Sequence, residues 1–496
     1  MQLILVTPFR VGLWGIESLT PACDHRHVVT RYLHEFSYPA QFIPDQTPAS
    51  LRWIGTCRGE TFDLLPRSYV DLGCGPGITV AAVAAANPEL RCLGADINPH
   101  HSEFLAALRD EAGLENLEAR CTDFAELLKD TDFSPDIATA RGILSWVPEP
   151  VREQLRELLG RLSPGGLAYL GFDSAPGHVG LAPLHDLTQS LMAETIDQED
   201  YAKTAVAVLR ELAESRADFL MSNPVTRQTL RDILTSEIGS IVHDLGVPSY
   251  QEFWVDEVVR MMATRGLRYV GTTSGEELTL NWRDAELAAL SASAPGPVSA
   301  SRLRELVLNP GFRTVLFRQD AQDQIAGPRL GSPLDLGVEN PPVGWLTPPA
   351  TIDWKRGFGY LEVDGEAVRE LTPDTAGIDD LSTIPQLLGS TADIPTAVWA
   401  VDLIGSGVLQ PLRAPAQAQG ARASVDRFNR VAIDRAGRSD SVFCLLSAQS
   451  GNGVKLSSST DAALAARRDG LPHPKADSLT EKLAWWEATL AIDVPL

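Results

Sequence analysis

Basic residues are scarce in this chain. Its 496 residues include 42 Lys and Arg against 65 Asp and Glu, for a net charge of −23. Nucleic-acid binding rests largely on phosphate neutralisation by Lys and Arg, so no nucleic-acid partner is expected. A surface this acidic would attract a cationic protein or peptide, and it serves solubility equally well. Long apolar runs are also missing. None approaches the ~20 residues a membrane span needs, so no membrane association is expected. The opening MQLILVTPFRVGLWGIESL is mildly apolar, but it carries Arg10 and Glu17 and lacks a basic start. Residues 1–35 therefore read as an N-terminal extension rather than a targeting segment. Cys23, Cys57, Cys74, Cys92, Cys121 and Cys444 form no CxxC pair. That is the pattern of reduced, mostly buried thiols in a cytoplasmic protein. His100 and His101 are adjacent and would point apart, and no metal-ligand spacing occurs anywhere, so no metal is expected.

What is present is globular: 44% hydrophobic and 22% charged residues, in a chain long enough for roughly three domains. From about residue 68 to 173, strand and helix signals alternate, which predicts a parallel sheet covered on both faces. Strands are expected at Ser68–Leu72, Leu90–Asp96, Leu117–Cys121, Pro135–Ala140 and Leu167–Phe172. From about Leu184 to Arg268 the chain turns helical and charged, with apolar residues at i, i+3 and i+4, and a short strand, Leu267–Gly271, follows. LSASAPGPVSASR (Leu290–Arg302) and Ala321–Gly344 read as linkers, and APAQAQGARAS (Ala414–Ser424) as a further loop. The plan is an extension at 1–35, an α/β domain at 36–180, a helical domain at 181–290, a linker-rich segment at 291–343 and a mixed α+β region at 344–496.

The chemistry concentrates around Asp71-Leu72-Gly73-Cys74-Gly75-Pro76-Gly77. A dinucleotide fingerprint needs G-x-G-x-x-G, and here the third fingerprint position is Ile78. Asp71 would repel a pyrophosphate and welcome a cation. S-adenosylmethionine carries an ammonium and a sulfonium and no phosphate, so Asp71, Gly73, Cys74, Gly75 and Gly77 are assigned to it. Asp96, about 20 positions on, suits a ribose diol, with Ile97 against the adenine. Asp123 could accept from the adenine amino group with Phe124 packed on the ring; the alternative is a helix cap with a buried Phe. The strand ending at Arg141 should deliver its carboxyl end opposite the methyl donor.

In this order and spacing, these elements resemble class I S-adenosylmethionine-dependent methyltransferases over about residues 65–175. The resemblance implies a Rossmann-like sheet, followed here by a helical domain and an α+β C-terminal region. A narrower resemblance is to methyltransferases with a so-called regulatory domain, including bacterial protein lysine methyltransferases. Arg141-Gly142-Ile143-Leu144-Ser145-Trp146-Val147-Pro148 is similar to their H-G-V-Y-S-W-V-P, and Phe172-Asp173-Ser174-Ala175-Pro176-Gly177-His178 to Y-N-T-Y-P-G-W. Phe36-Ser37-Tyr38-Pro39, Tyr250-Gln251-Glu252-Phe253-Trp254 and Phe312–Arg318 carry it outward, and Ile394–Leu412 looks like a small winged-helix segment.

The resemblance implies a protein or peptide acceptor, methylated on lysine or another nitrogen. The chain departs from the family where His, Tyr and Asn become Arg141, Leu144 and Asp173. Tyr38, Ser145 and Asp173 are expected to line the acceptor cleft, with Arg141 beside the cofactor and Leu144 and Trp146 against the substrate. Trp146 reads as an aromatic wall or as core packing, and Asp173 as a general base or, preferentially, a salt bridge to Arg141. Arg141 could instead hold an acceptor carboxylate. Two other functions stay open: a small-molecule methyltransferase, and a non-catalytic scaffold that binds the cofactor. A second copy of the chain is a further expected partner.

Overall fold

Strand β1 (Ser68–Leu72) runs from a half-buried serine into four buried residues and ends at the glycine turn. It is one of seven strands in the main sheet of the computed structural model, which describes residues 37–492 except 63–64, 195–197, 237, 246–248, 321–342, 373–376 and 379. The extension at 1–35, Phe36 and most of the expected break at 321–344 lie outside the described residues. The other strands are β2 (Arg91–Asp96), β3 (Leu117–Cys121), β4 (Ile137–Arg141), β5 (Leu167–Asp173), β6 (Leu267–Thr272) and β7 (Phe312–Gln319), in the order β3-β2-β1-β4-β5-β7-β6. The sheet reverses direction of growth at β1, with β2 on one side and β4 on the other. Such a switch point opens a crevice at the carboxyl ends of the strands.

Two expectations about the sheet need correction. It is not all parallel: β7 runs antiparallel to both β5 and β6. Nor does it end at residue 180: the short strand expected at Leu267–Gly271 forms as β6 and joins this sheet, and β7 comes from a segment expected to be linker-rich. The reason is physical. A short apolar run such as FRTVLFRQ carries no signal of its partner or direction, and only closure of the sheet supplies them. The stretches expected as linkers also fold: Leu290 falls inside a helix, Ala285–Ala292, that runs on from the expected helical domain, and Pro297–Leu308 and Pro415–Arg435 are helices. Both of the last two place Pro in the first turn, where its missing N–H costs nothing, followed by good helix formers: Leu, Arg and Glu in the first, Ala, Gln and Arg in the second.

Between β5 and the strand pair β6–β7, the chain inserts a small helical bundle with its own apolar core, including Leu184, Leu209, Leu230 and Ile241. It then returns in extended form beside the end of β5, where Phe253 N donates to Asp173 O (3.0 Å) and Ala175 N to Phe253 O (3.1 Å). Arg152 pins this return, donating to Leu144 O and Ser249 O (2.9 and 2.8 Å).

The helix Ile78–Ala86 is buried at all nine positions. A helix apolar all round needs cover on every side. The sheet covers one side, and helix Pro415–Arg435 of the C-terminal region packs against it from the other. That region adds a three-stranded antiparallel sheet of β8 (Val343–Trp345), β9 (Gly377–Ile378) and β10 (Leu409–Pro411), and a hairpin of β11 (Cys444–Ser447) and β12 (Asn452–Lys455). Among the described residues no helix is long and apolar enough to cross a membrane.

One buried ion pair ties the late strands to the site. Glu305, on helix Pro297–Leu308, accepts from Arg313 Nε of β7 (2.9 Å) and from Ser174 Oγ at the end of β5 (3.1 Å). Both charged side chains are 3% exposed. Removing one partner leaves the other buried without its counter-charge, so Arg313→Ala should cost about 3–5 kcal/mol. The check is urea denaturation, which should show a lower midpoint at an unchanged slope.

Candidate active site

The glycine turn after β1 is built by three residues in the left-handed region: Gly73 (φ 68°), Gly75 (φ 56°) and Gly77 (φ 72°). Their surroundings differ. A β-carbon on Gly73 would lie 2.2 Å from Ile143 Cδ1, and one on Gly77 2.7 Å from Leu105, whereas one on Gly75 would meet no atom within 4 Å. Gly73 and Gly77 are thus needed for packing, and Gly75 faces open space. The N–H groups of the turn are already committed. Those of Gly73 and Cys74 donate to Ala95 O, that of Gly77 to Cys74 O and that of Gly75 to Asp96 Oδ2 (2.8 Å). Pro76 has none. A phosphate-binding loop needs free N–H groups aimed at the ligand, and this one lacks them at these positions.

Asp71 stands next to the turn, 4% exposed, opposite Thr139 in the register of β1 and β4. Thr139 Oγ1 donates to its Oδ1 at 2.8 Å. Burial pushes the Asp71 carboxyl up to about 7, and neighbouring Asp96 adds to the rise while the Thr139 bond opposes it. This carboxylate has been desolvated with no ion pair among the described residues. Asp96, at the end of β2, accepts from Asn98 N (2.8 Å) and His101 Nδ1 (3.0 Å) through Oδ1, besides the Gly75 bond to Oδ2. His101 Nε2 in turn accepts from Tyr38 N (3.0 Å), which places the ring proton on Nδ1. One buried histidine so links the segment before the sheet to the tip of β2. Ile97 is half-buried beside it. Asp123 Oδ1 accepts from Glu126 N (2.7 Å) as the cap of helix Phe124–Leu127, and Phe124 is buried in the core. Cys74 Sγ lies 3.2 Å from where a Gly94 β-carbon would stand, so the thiol fills the space that glycine leaves.

Arg141 ends β4 on the same face of the sheet as Thr139. Its guanidinium lies 4.6 Å from the centre of the Phe312 ring, and its Nε is buried with no hydrogen-bond partner among the described residues. Gly171 opposite it makes the room: a β-carbon there would crowd both Arg141 and Phe312. The expected salt bridge to Asp173 does not form. Arg141 instead shares its field with Asp45, which burial pushes up and the Tyr169 hydroxyl (2.8 Å) and Arg141 charge pull down.

Asp173, 1% exposed, ends β5 and lies with His178, whose Nδ1 is 3.2 Å from its Oδ2. The ion-pair distance is met without hydrogen-bond alignment, and Asp173 Oδ2 has no hydrogen-bond partner among the described residues. His178 Nδ1 is also 3.2 Å from the Tyr250 hydroxyl. Tyr250 stacks on His185 at 3.5 Å and meets Trp146 edge-on at 6.2 Å. Trp146 thus packs edge-on at the border of this cluster. Asp244 and Glu252 complete it. Burial, then Asp173, pushes Asp244 up to about 7; burial also raises Glu252, whose Oε1 is buried with no hydrogen-bond partner among the described residues. Tyr38, packed edge-on against His243 at 5.8 Å, is raised by burial and by Asp244.

Two expected acceptor contacts are corrected. Leu144 is fully buried in the core beneath the sheet's end, out of reach of a substrate. Ser145, also fully buried, accepts from Asp173 N (2.9 Å) through Oγ while its carbonyl accepts from Gln251 N (2.9 Å). It holds the end of β5 and the returning segment together. His178, Asp244, Tyr250 and Glu252 were not assigned from sequence. Tyr250-Gln251-Glu252 lies about 77 residues beyond Asp173 in the chain, and no periodicity shows that it returns to β5. The available signal was a run of polar and aromatic residues just ahead of an amphipathic helix.

This strand order, with a glycine turn after β1 and an acid at the end of β2, is the Rossmann-like methyltransferase fold. Residues 70–168 match the family model described as a methyltransferase domain. Curated relatives include the trans-aconitate 2-methyltransferase of Methylobacterium radiotolerans, 35% identical over 107 residues (21% of this chain). An uncharacterized Rickettsia prowazekii protein is 27% identical over 146 residues (29% of this chain). The matches span 36% and 58% of the length of these two relatives. Among solved structures, PKMT2 from Rickettsia typhi in complex with AdoHcy superposes with a TM-score of 0.59 at 17% identity, over 92% of this chain and 93% of that one. The two chains share a fold along nearly their whole length.

S-adenosylmethionine is the cofactor of this class, and the residues present fit it. The buried Asp71 carboxylate lacks the cation that an ammonium would supply. Asp96 Oδ2, with one of its two lone pairs in use, can accept from a ribose hydroxyl, and Gly75 leaves its side open for close approach.

Proposed function

We propose that the chain is an S-adenosylmethionine-dependent methyltransferase acting on a nitrogen nucleophile, a lysine amine of a protein or peptide. The observation that carries the donor half is Asp71: a desolvated carboxylate with no counter-charge among the described residues, beside a turn whose N–H groups are already bonded. Bound there, S-adenosylmethionine supplies a methyl group on a sulfonium carbon open to in-line displacement. The chain's own work is to bind, orient and desolvate. Holding the acceptor ~3–3.5 Å from the methyl carbon can supply roughly 7–11 kcal/mol of the barrier.

The acceptor half rests on the chamber at the end of β5. Asp173, Asp244 and Glu252 converge there with Tyr38, Trp146 and Tyr250. Acids ringed by aromatics suit a cationic amine. The sequence resemblance to protein lysine methyltransferases and the fold shared with PKMT2 point the same way. We place the protein in the regulatory-domain methyltransferases and in a reducing, cytoplasmic setting; the five cysteines among the described residues are free thiols.

A second reading has its own observation. Arg141 has no ion pair among the described residues, and the 35% identical relative is a trans-aconitate methyltransferase, so an acidic small molecule could be the acceptor. The test is transfer of a radiolabelled methyl group from the cofactor, offered in parallel to a lysate separated into macromolecular and small-molecule fractions. Label in the protein fraction, in a linkage stable to base, supports the amine. Base-labile label in the small-molecule fraction supports the carboxylate. Arg141→Ala should change acceptor turnover while S-adenosylhomocysteine affinity by calorimetry stays within a few-fold; equal loss of both would place Arg141 on the cofactor.

A further inference from the structure

The acceptor chamber contains a histidine that the proposed reaction does not yet use. A lysine amine has a pKa of ~10.4 and reaches the enzyme as an ammonium, without a lone pair. Something must take its proton before the nitrogen can attack. Asp173 Oδ2 is a buried carboxylate oxygen with no hydrogen-bond partner among the described residues, which suits it to receive an ammonium. His178 Nδ1 lies 3.2 Å from that same oxygen and 3.2 Å from the Tyr250 hydroxyl. The Nε2 edge of the ring is turned to the backbone of Gly311, where an added β-carbon would stand 3.1 Å from Nε2. Nδ1 is therefore the nitrogen presented to the chamber. The side chain remains 24% exposed, so a proton accepted there has a route to water. Asp173 and His178 are both departures from the segment that the chain otherwise resembles, where Asn and Trp stand.

We infer that His178 is the proton acceptor for the incoming ammonium, with Asp173 receiving that ammonium and then stabilising the imidazolium. This rests on the amine reading of the acceptor. The step is a proton transfer only. An N–H bond of the ammonium breaks, an Nδ1–H bond forms, and the electron pair stays on the acceptor nitrogen as the nucleophile. Tyr250 can donate its hydroxyl proton to neutral Nδ1 and so hold the ring until the acceptor displaces it.

The groups that face His178 come from several elements. Asp173 lies at the end of β5, Asp244 on helix Ile238–Leu245, Tyr250 and Glu252 on the returning segment, and His185 on helix Ala182–Glu194. Burial pulls His178 down, but Asp173, Glu252 and Asp244 outweigh it and hold the imidazole above its ordinary 6.5. His185 goes the other way, to about 3, through burial and the nearby His178, so it stays neutral across the working range. The sign for catalysis follows. A base must be unprotonated, so kcat/KM should climb tenfold per pH unit up to a break above 6.5 and then level.

The test uses the full chain, cofactor and a lysine peptide, with His178→Gln and Asp173→Asn as variants. General base catalysis contributes about 10²–10⁴-fold, so His178→Gln should lose about 100-fold or more in kcat/KM and lose the break near neutral pH. S-adenosylhomocysteine affinity should be unchanged in both variants, which shows the cofactor half still folded. A peptide whose lysine amine is replaced by an aminooxy group, neutral at pH 7, needs no base, and on it the His178→Gln deficit should shrink below about tenfold. If the wild type methylates the lysine peptide and His178→Gln keeps its rate and pH profile, the inference falls while the function stands. An equal deficit on the lysine and aminooxy peptides also overturns it, by making His178 structural. If the wild type methylates only a tricarboxylate, the amine reading and this inference fall together.

Discussion

Asp71→Asn should bind S-adenosylhomocysteine or S-adenosylmethionine about 10–150-fold more weakly than the wild type, and should nevertheless unfold at a higher temperature at pH 8. Both halves follow from one carboxylate. A hydrogen bond to a charged group contributes about 1.5–3 kcal/mol, and the substitution removes the charge from the acceptor of the cofactor's ammonium. Asn preserves shape and can still accept from Thr139 Oγ1. The stability gain comes from linkage. Burial raises the Asp71 carboxyl to about 7 in the folded state, from 3.8. Between these values the native protein holds a proton that the unfolded chain has lost. Wild-type stability therefore falls as pH rises from about 4 to about 7 and levels above. The variant escapes this loss, so its advantage grows across that window and is complete above it. Cofactor affinity of the wild type moves oppositely, weakening tenfold per unit as pH drops below about 7. Calorimetry and thermal unfolding at pH 5, 6, 7 and 8 measure both. A variant that loses stability at pH 8 and keeps affinity would show that Asp71 is not waiting for a cation.

Gly75→Ala and Gly73→Ala should separate the two jobs of the glycine turn. Each forces a side chain into the left-handed region, at about 1–2 kcal/mol. At Gly75 nothing in the protein lies within 4 Å of the new β-carbon, so that strain is nearly the whole stability loss. The methyl group nevertheless occupies the side left open for the cofactor, and affinity should fall about tenfold or more, or 1.4 kcal/mol upwards. At Gly73 the new carbon would lie 2.2 Å from Ile143, so overpacking adds about 1–3 kcal/mol. The Gly73 variant is thus the less stable of the two, and the Gly75 variant is folded but impaired in cofactor binding. Urea midpoints set beside binding constants decide it. Equal stability losses with intact affinity in Gly75→Ala would place the cofactor elsewhere.

The cofactor half was legible because it is local. Asp71 and the three glycines fall between Asp71 and Gly77, at the join of one strand and one helix, and Asp96 follows at a short spacing fixed by that helix. Backbone sterics force glycine where φ is positive, and a carboxylate beside such a turn states its charge in the letters alone. The all-apolar helix Ile78–Ala86 likewise announced its burial. Direction and partnership were not legible. The letters FRTVLFRQ could not say that β7 enters antiparallel between β5 and β6, and the expected Arg141–Asp173 pair assumed a proximity that packing did not produce.

By itself, then, the sequence pointed to the donor chemistry proposed here: a glycine turn without the dinucleotide spacing, a carboxylate beside it and an acid at the end of the next strand. Only the tertiary structure brought together the residues of the proposed acceptor side. Asp173, His178, Asp244, Tyr250 and Glu252 meet because the chain leaves the sheet after β5, builds a helical bundle and comes back beside the same strand. Charges separated by some seventy residues act on one another only once their solvent has been removed together, and that removal is a property of the packed molecule.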